Sequence, residues 1–145
     1  MSNALVVIPT YNEIENIELL LHDIISLQQD FDVLVVDDNS PDGTSAVVEK
    51  LIEVYPDTLF LIKRTSKLGL GTAYITGFKW ALEKQYDFIF EMDADFSHNP
   101  TDLLRLYSAC KNEDCDMAIG SRYVTGVNVV NWPMNRVLLS WGASK

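Results

Sequence analysis

Leu5-Val6-Val7-Ile8-Pro9-Thr10-Tyr11-Asn12-Glu13 decides how this 145-residue chain is read. Four consecutive apolar residues closed by a proline make a short buried strand. The period then changes. Ile14, Ile17, Leu20, Leu21, Ile24 and Ile25 recur at helical spacing, which predicts a helix from about Ile14 to Gln28. Strand followed at once by amphipathic helix is the opening of a β-α-β unit.

The same alternation continues outward from that stretch. Val33-Leu34-Val35-Val36 is a second buried strand, and the turn Asn39 to Thr44 leads to a helix bearing Val47, Val48, Leu51, Ile52 and Val54, with Thr44 as its cap. Thr58 to Ile62 is a third strand. A basic, glycine-containing loop, Lys63 to Gly71, precedes a helix reaching about Lys84. Phe88-Ile89-Phe90 is a fourth strand, Asn99-Pro100-Thr101 opens another helix, Met117-Ala118-Ile119 is a short fifth strand, and Asn135 to Ser144 has a helical pattern. The fold class is therefore α/β: a mostly parallel sheet with helices on both faces, in one domain over residues 1–145.

Bulk properties restrict the function classes. Apolar residues make up 48% and charged residues 22%, a balance that supports a packed core. No apolar run approaches the roughly 18–20 residues of a membrane span, and no signal-peptide pattern opens the chain, so a cytoplasmic location is expected. A net charge of −10 disfavours nucleic acid as a partner. Cys110 and Cys115, without nearby His, are read as reduced thiols rather than a zinc site. The charge is uneven: Met117 to Lys145 contains no Asp or Glu but holds Arg122, Arg136 and Lys145.

Parallel α/β sheets bind ligands beyond the carboxyl ends of their strands, so the chemistry is expected in the residues after each strand. They are Pro9 to Glu13, Asp37-Asp38, Lys63-Arg64, Asp93-Ala94-Asp95 and Gly120-Ser121-Arg122. Asp93 and Asp95, separated by one small residue, suit a hard divalent cation that leaves positions open for phosphate; the competing reading is a solvated acidic turn. Asp37 and Asp38 suit hydrogen bonds from a ribose or base, or else simply lead a helix. Tyr11 and Glu13 suit stacking on and bonding to a base, or a helix start capped by Asn12. Gly69-Leu70-Gly71 lacks the third glycine of a dinucleotide fingerprint, and there is no Walker A, H-E-x-x-H or G-x-S-x-G sequence. His98 reads as a loop residue beside the acidic pair and His22 as a surface residue.

Taken together, Val6 to Glu13, Val35 to Thr44, Met92 to His98 and Gly120-Ser121-Arg122-Tyr123 resemble the dolichol-phosphate mannosyltransferases, inverting enzymes with the GT-A fold. Lys67-Leu68-Gly69-Leu70-Gly71 points to the same polyprenyl-phosphate branch. The resemblance implies a nucleoside pocket formed by Pro9, Tyr11, Glu13, Val36 and Asp38, with Asp37 beside it. It implies Mg²⁺ or Mn²⁺ on Asp93 and Asp95, Ala94 packed against the nucleotide, and Arg122 on phosphate. Ser97 stands where some relatives have Gln as a third metal ligand. Asp95 and Arg122 would carry catalysis, and Arg136, which belongs to the acid-free tail and not to these motifs, would meet the acceptor phosphate. GDP-mannose is the implied donor and a polyprenyl phosphate lipid the acceptor. Relatives continue well beyond Lys145, so a shortened chain is expected.

The acid-free tail, with Trp132, Arg136 and Trp141 among apolar residues, reads as a phosphate-facing and membrane-facing segment at the cytoplasmic face, or as surface that packs under a further C-terminal part. Two other functions stand beside the first: a transferase of the same fold using another nucleotide sugar and a glycan acceptor, and a non-catalytic nucleotide-binding fragment.

Overall fold

The computed structural model describes residues 2–112 and 115–121. The element order is β1 (Ala4–Thr10), α1 (Ile17–Ile25), β2 (Asp32–Asp37), α2 (Thr44–Val54), β3 (Leu59–Lys63), α3 (Leu70–Glu83), β4 (Phe88–Glu91) and α4 (Asp102–Asn112). The chain divides into two compact units, residues 1–107 and 108–145.

The first unit is built on a four-stranded parallel sheet of order β3-β2-β1-β4. β1 and β2 lie inside the sheet, and every residue of β2 is buried, which is why both read as unbroken apolar runs. Alternate residues serve opposite faces. Val6, Ile8, Val33, Val35 and Phe90 pack with Leu20, Leu21, Val48, Leu51, Leu103 and Tyr107 from α1, α2 and α4. Leu5, Val7, Leu34 and Val36 pack with Ala73, Ala81 and Tyr86 on the face of α3. Fully burying one such Leu, Ile or Val side chain is worth roughly 1.5–3 kcal/mol, so these two layers are the main source of stability. α3 lies close on β1 because position 77 is glycine: a Cβ there would meet Val7 Cγ1 at 2.4 Å.

Pro9 does not close β1 but sits within it, paired with Val36. Thr10 O accepts from Asp38 N, so Thr10 faces β2 and Pro9 faces the β4 side. There the ladder has already ended, since its last rung joins Val7 to Glu91. The N–H that proline lacks is therefore not required.

α1 begins three residues later than its apolar period suggests. The N–H groups of Asn12, Glu13 and Ile14 bond instead to Ser40 Oγ, Thr44 Oγ1 and Asp42 Oδ2, each at 3.0 Å. Asn12, at φ 61°, is thus part of a turn rather than a helix cap. Thr44 is likewise the first residue of α2, not its cap; Asp42 Oδ1 accepts from Thr44 N and Oγ1 at 2.9 and 2.6 Å.

The expected fifth strand is absent among the described residues. Met117 and Ile119 are 75% and 82% exposed and take no regular structure. Three apolar residues between Asp116 and Gly120 supply few rungs, and a strand exists only through its ladder. In the same second unit the Cys110 and Cys115 Sγ atoms lie 3.9 Å apart without a disulfide. The helix expected from Asn135 to Ser144 lies outside the described residues.

Candidate active site

The chain winds from β1 through β2 to β3 and then returns to the other side of β1 as β4. That reversal leaves a crevice between the ends of β1 and β4, the general ligand position in open parallel sheets. A cavity of about 250 Å³ opens there. The exit of β1 supplies Pro9, Thr10, Tyr11 and Glu13, and the exit of β4 supplies Asp93, Ala94 and Asp95. Asp38 enters from β2, Lys67 and Gly69 from the loop after β3, and Leu70 and Ala73 from α3.

Two adjacent acids have opposite duties. Asp37 is fully buried and accepts from Thr10 Oγ1 at 2.7 Å, Ser40 N at 2.9 Å, Ser40 Oγ at 2.6 Å and Ser45 Oγ at 2.6 Å. Burial pushes its carboxyl up, but the bonds from Ser40, Ser45 and Thr10 outweigh that and hold it below the usual carboxylate range. Asp37 therefore ties the ends of β1 and β2 to α2 and does not line the cavity. Val36 is also fully buried, on the α3 side of the sheet.

Asp38 does line the cavity, and its two oxygens fasten the loop after β3. Oδ1 accepts from Arg64 Nε and Oδ2 from Leu68 N at 3.1 Å. The Arg64–Asp38 ion pair is nearly sealed from water. Arg64 also reaches Thr72 Oγ1 at 2.7 Å and Gly69 O at 3.1 Å. Lys63 turns away to the exposed Glu49 at 2.7 Å. The Ser40-Pro41-Asp42-Gly43-Thr44 run is the brace of the β1 exit loop, and Glu13 Oε2 in that loop accepts from Asn16 Nδ2 at 3.2 Å.

At the β4 exit, Asp93 Oδ1 accepts from Tyr74 Oη at 2.9 Å, and His98 Nε2 lies 3.8 Å from its other oxygen. Burial first, then the bond to Asp93 and the charges around it, raise the Tyr74 hydroxyl pKa, so it stays a donor. Asp95 Oδ1 accepts from Ser97 N at 2.9 Å. Burial raises its carboxyl, yet the Ser97 bonds and the His98 charge leave it below the usual range. Phe96 between them has φ 55°, a left-handed conformation that bulky residues rarely adopt. Such strain is typical of turns that aim functional groups.

Among the described residues no three His, Cys, Asp or Glu side chains form a closed metal cage. Two carboxylates on one cavity wall fit an ion of the Mg²⁺ type, which keeps several waters and takes further oxygens from phosphate. Ser97 stands beside Asp95 but does not line the cavity. Arg122 and Arg136 lie outside the described residues, and Gly120 and Ser121 belong to the second unit.

Sequence reasoning missed the roles of Tyr74 and Lys67. Tyr74 is on the half-buried side of α3 next to Ala73, and a tyrosine on an apolar helix face carries a polar tip that must find a partner. Lys67 was visible only as part of a motif; its Nζ lies 4.0 Å from the centre of the Tyr11 ring.

The model of the family described as "Glycosyl transferase family 2" matches residues 5–143. The chain belongs to glycosyl transferase family 2. Its parallel sheet with helices on both faces is that of the GT-A type. It is 49% identical over 137 residues to polyprenol monophosphomannose synthase of Mycolicibacterium smegmatis, covering 94% of this chain and 51% of that one. It is 48% identical over 141 residues to undecaprenyl-phosphate mannosyltransferase of Micrococcus luteus, covering 97% and 57%. It thus spans about half the length of these family members.

Among solved structures, the mannosyltransferase PcManGT of Pyrobaculum calidifontis, in complex with GDP-Man and Mn²⁺, superposes with a TM-score of 0.51 at 34% identity, over 54% of this chain and 24% of that one. S. aureus TarS superposes with a TM-score of 0.62 at 26% identity, over 92% and 39%.

Proposed function

We propose that this chain is the nucleotide-sugar-binding part of an inverting, metal-dependent mannosyltransferase that moves mannose from GDP-mannose to a polyprenyl phosphate. The observation that carries the reading is the crevice between β1 and β4, which brings Tyr11, Glu13 and Asp38 into one cavity with Asp93, Ala94 and Asp95. A flat base stacks on Tyr11, with Pro9 behind it, and bonds to Glu13 and to Asp38. The base and ribose lie over the end of β1 and Ala94 packs against the nucleotide, while Val36 is buried on the α3 side and does not line the cavity. The diphosphate then points at Asp93 and Asp95. Kinship with relatives named for polyprenyl-phosphate mannosyl transfer supports the donor and acceptor, and a neighbour holding GDP-Man and Mn²⁺ supports the metal.

Asp93 and Asp95 are the residues that would hold Mg²⁺ or Mn²⁺, with water completing the shell and Ser97 steadying Asp95. An ion held there would supply positive charge against the departing diphosphate. Tyr74 holds Asp93 in orientation, and Arg122 takes the phosphate role that the family pattern gives it. Displacement at the anomeric carbon is in line, so configuration inverts. The acceptor is a phosphate monoester whose second pKa is near 6, by analogy with phosphorylated side chains, so it arrives ionised and no protein base is required. Arg136 meets that acceptor phosphate, in a tail that touches the membrane peripherally. Among the described residues no helix is long and apolar enough to cross a membrane.

Donor choice tests the reading. Calorimetry with GDP-mannose, UDP-glucose and ADP-glucose in Mn²⁺ should rank GDP-mannose first, and radiolabelled mannose should appear on added polyprenyl phosphate. A UDP-sugar preference would transfer the reading to glycan-directed enzymes of the same fold; a TarS structure in complex with UDP, at 30% identity and a TM-score of 0.51, is the observation on that side.

A further inference from the structure

Four carboxylates line the cavity, those of Glu13, Asp38, Asp93 and Asp95. Asp38 is neutralised by Arg64, and Arg64 is committed to that pair, to Thr72 and to Gly69. An acidic wall of this kind repels a diphosphate. Among the described residues that line the cavity, Lys67 is the one cation.

Its present position is unusual for a group that would neutralise phosphate. The ammonium lies over the Tyr11 ring at 4.0 Å, where the negative face of the ring attracts it. That face is also where a base would stack. The backbone on both sides of Lys67 is tethered, through Arg64 N to Asp37 O at 2.8 Å on one side and through Leu68 N to Asp38 on the other. The exposed four-carbon stem is free to swing without the loop moving.

We propose that Lys67 is a swinging anion-binding arm of the donor site: it rests on Tyr11 while the cavity is empty, yields that ring to the base, and pairs with the diphosphate. The inference rests on the nucleotide-sugar reading above and adds a residue and a coupling to it. A nucleoside without phosphate must displace the ammonium and gains nothing from it. A nucleoside diphosphate displaces it and recovers a charge-assisted contact. Base stacking and phosphate binding are thereby linked through one side chain.

The test is a titration of the full chain in Mn²⁺ with guanosine and uridine and with GDP and UDP, using whichever base binds tighter. Lys67→Met keeps the stem and removes the charge, and Lys67→Arg restores it. The diphosphate should bind Lys67→Met about tenfold more weakly, the effect of losing one charged contact worth about 1.4 kcal/mol. The nucleoside should bind it at least as tightly as wild type, and Lys67→Arg should recover most of the diphosphate affinity. In the NMR spectrum the Lys67 ε-protons should be shifted upfield by the Tyr11 ring in the free chain and lose that shift on adding the diphosphate.

If Lys67→Met weakens nucleoside and diphosphate equally, or neither, the arm is refuted while the nucleotide reading stands. If the wild type binds no nucleoside diphosphate at all, the reading falls and the arm with it.

Discussion

Replacing Asp37 by Asn changes one oxygen for an NH₂ group at a side chain that accepts four hydrogen bonds. In the wild type, Oδ1 accepts from Thr10 Oγ1 and Ser40 Oγ, and Oδ2 from Ser40 N and Ser45 Oγ. The Asn oxygen in the Oδ2 position keeps the bonds from Ser40 N and Ser45 Oγ, because the Ser40 N–H cannot turn away. The new NH₂ takes the Oδ1 position and donates to the Thr10 and Ser40 hydroxyls, which must rotate their protons away and accept. All four bonds fall from charged to neutral strength, a loss of roughly 0.75 kcal/mol each. The total is about 3 kcal/mol, a large share of the roughly 5–15 kcal/mol available to a domain.

With a urea m-value of about 1.5 kcal/mol/M the midpoint should fall by about 2 M with m unchanged. A shift below about 0.5 M would refute the assignment of Asp37 as the tie between β1, β2 and α2. The pH dependence supplies a second check. The native carboxyl lies below its ordinary 3.8, so its contribution is complete above that value and is lost as the pH falls through the native one. The gap between wild type and Asp37→Asn should stay constant from about pH 8 to pH 5 and narrow only below about pH 4. A gap that widens on acidification contradicts the sign.

Gly77→Ala should destabilise the chain by about 1 kcal/mol, because overpacking against Val7 outweighs the gain in helix propensity. In a urea double-mutant cycle, adding Val7→Ala should cost less in the Gly77→Ala background than alone; strict additivity would mean that α3 does not press on β1 there. Tyr74→Phe removes the bond to Asp93 Oδ1 and should weaken Mn²⁺ binding in the presence of GDP about tenfold, as supporting residues of metal ligands do. Unchanged Mn²⁺ affinity by electron paramagnetic resonance would show that Asp93 needs no such support.

The strand–helix alternation was legible because strands buried on both faces leave continuous apolar runs, and β1 and β2 are of that kind. Met117-Ala118-Ile119 has the composition of such a run without a ladder, a distinction that local sequence does not contain. The strand order, with β4 beside β1, arises from pairing between distant segments, and the crevice follows from that order. Asp37 and Asp38 are adjacent and chemically identical, so only their partners separate a brace from a cavity wall: three hydroxyls and an amide for one, Arg64 and Leu68 for the other. Tyr74 and Lys67 were missed for the same reason, since the first matters through Asp93 and the second through Tyr11. Asp93 and Asp95 stand out in the sequence because two carboxylates flanking one small residue at a strand end suggest a cation site under many details of packing. Arg122 takes its part from the family motif and Arg136 from the acid-free, Trp-bearing tail, and both lie outside the described residues.

The most direct measurement is calorimetric titration of GDP into the wild-type chain and into Asp95→Ala, each with Mn²⁺ and then with chelator. Asp95 is an exposed strand-end acid, so the variant should unfold within about 0.5 kcal/mol of wild type. The wild type should bind GDP in Mn²⁺ and lose most of that affinity on chelation, and Asp95→Ala should behave in Mn²⁺ as the wild type does without it. GDP affinity that is equal with and without Mn²⁺, in wild type and variant alike, would contradict the metal-dependent nucleotide-sugar site.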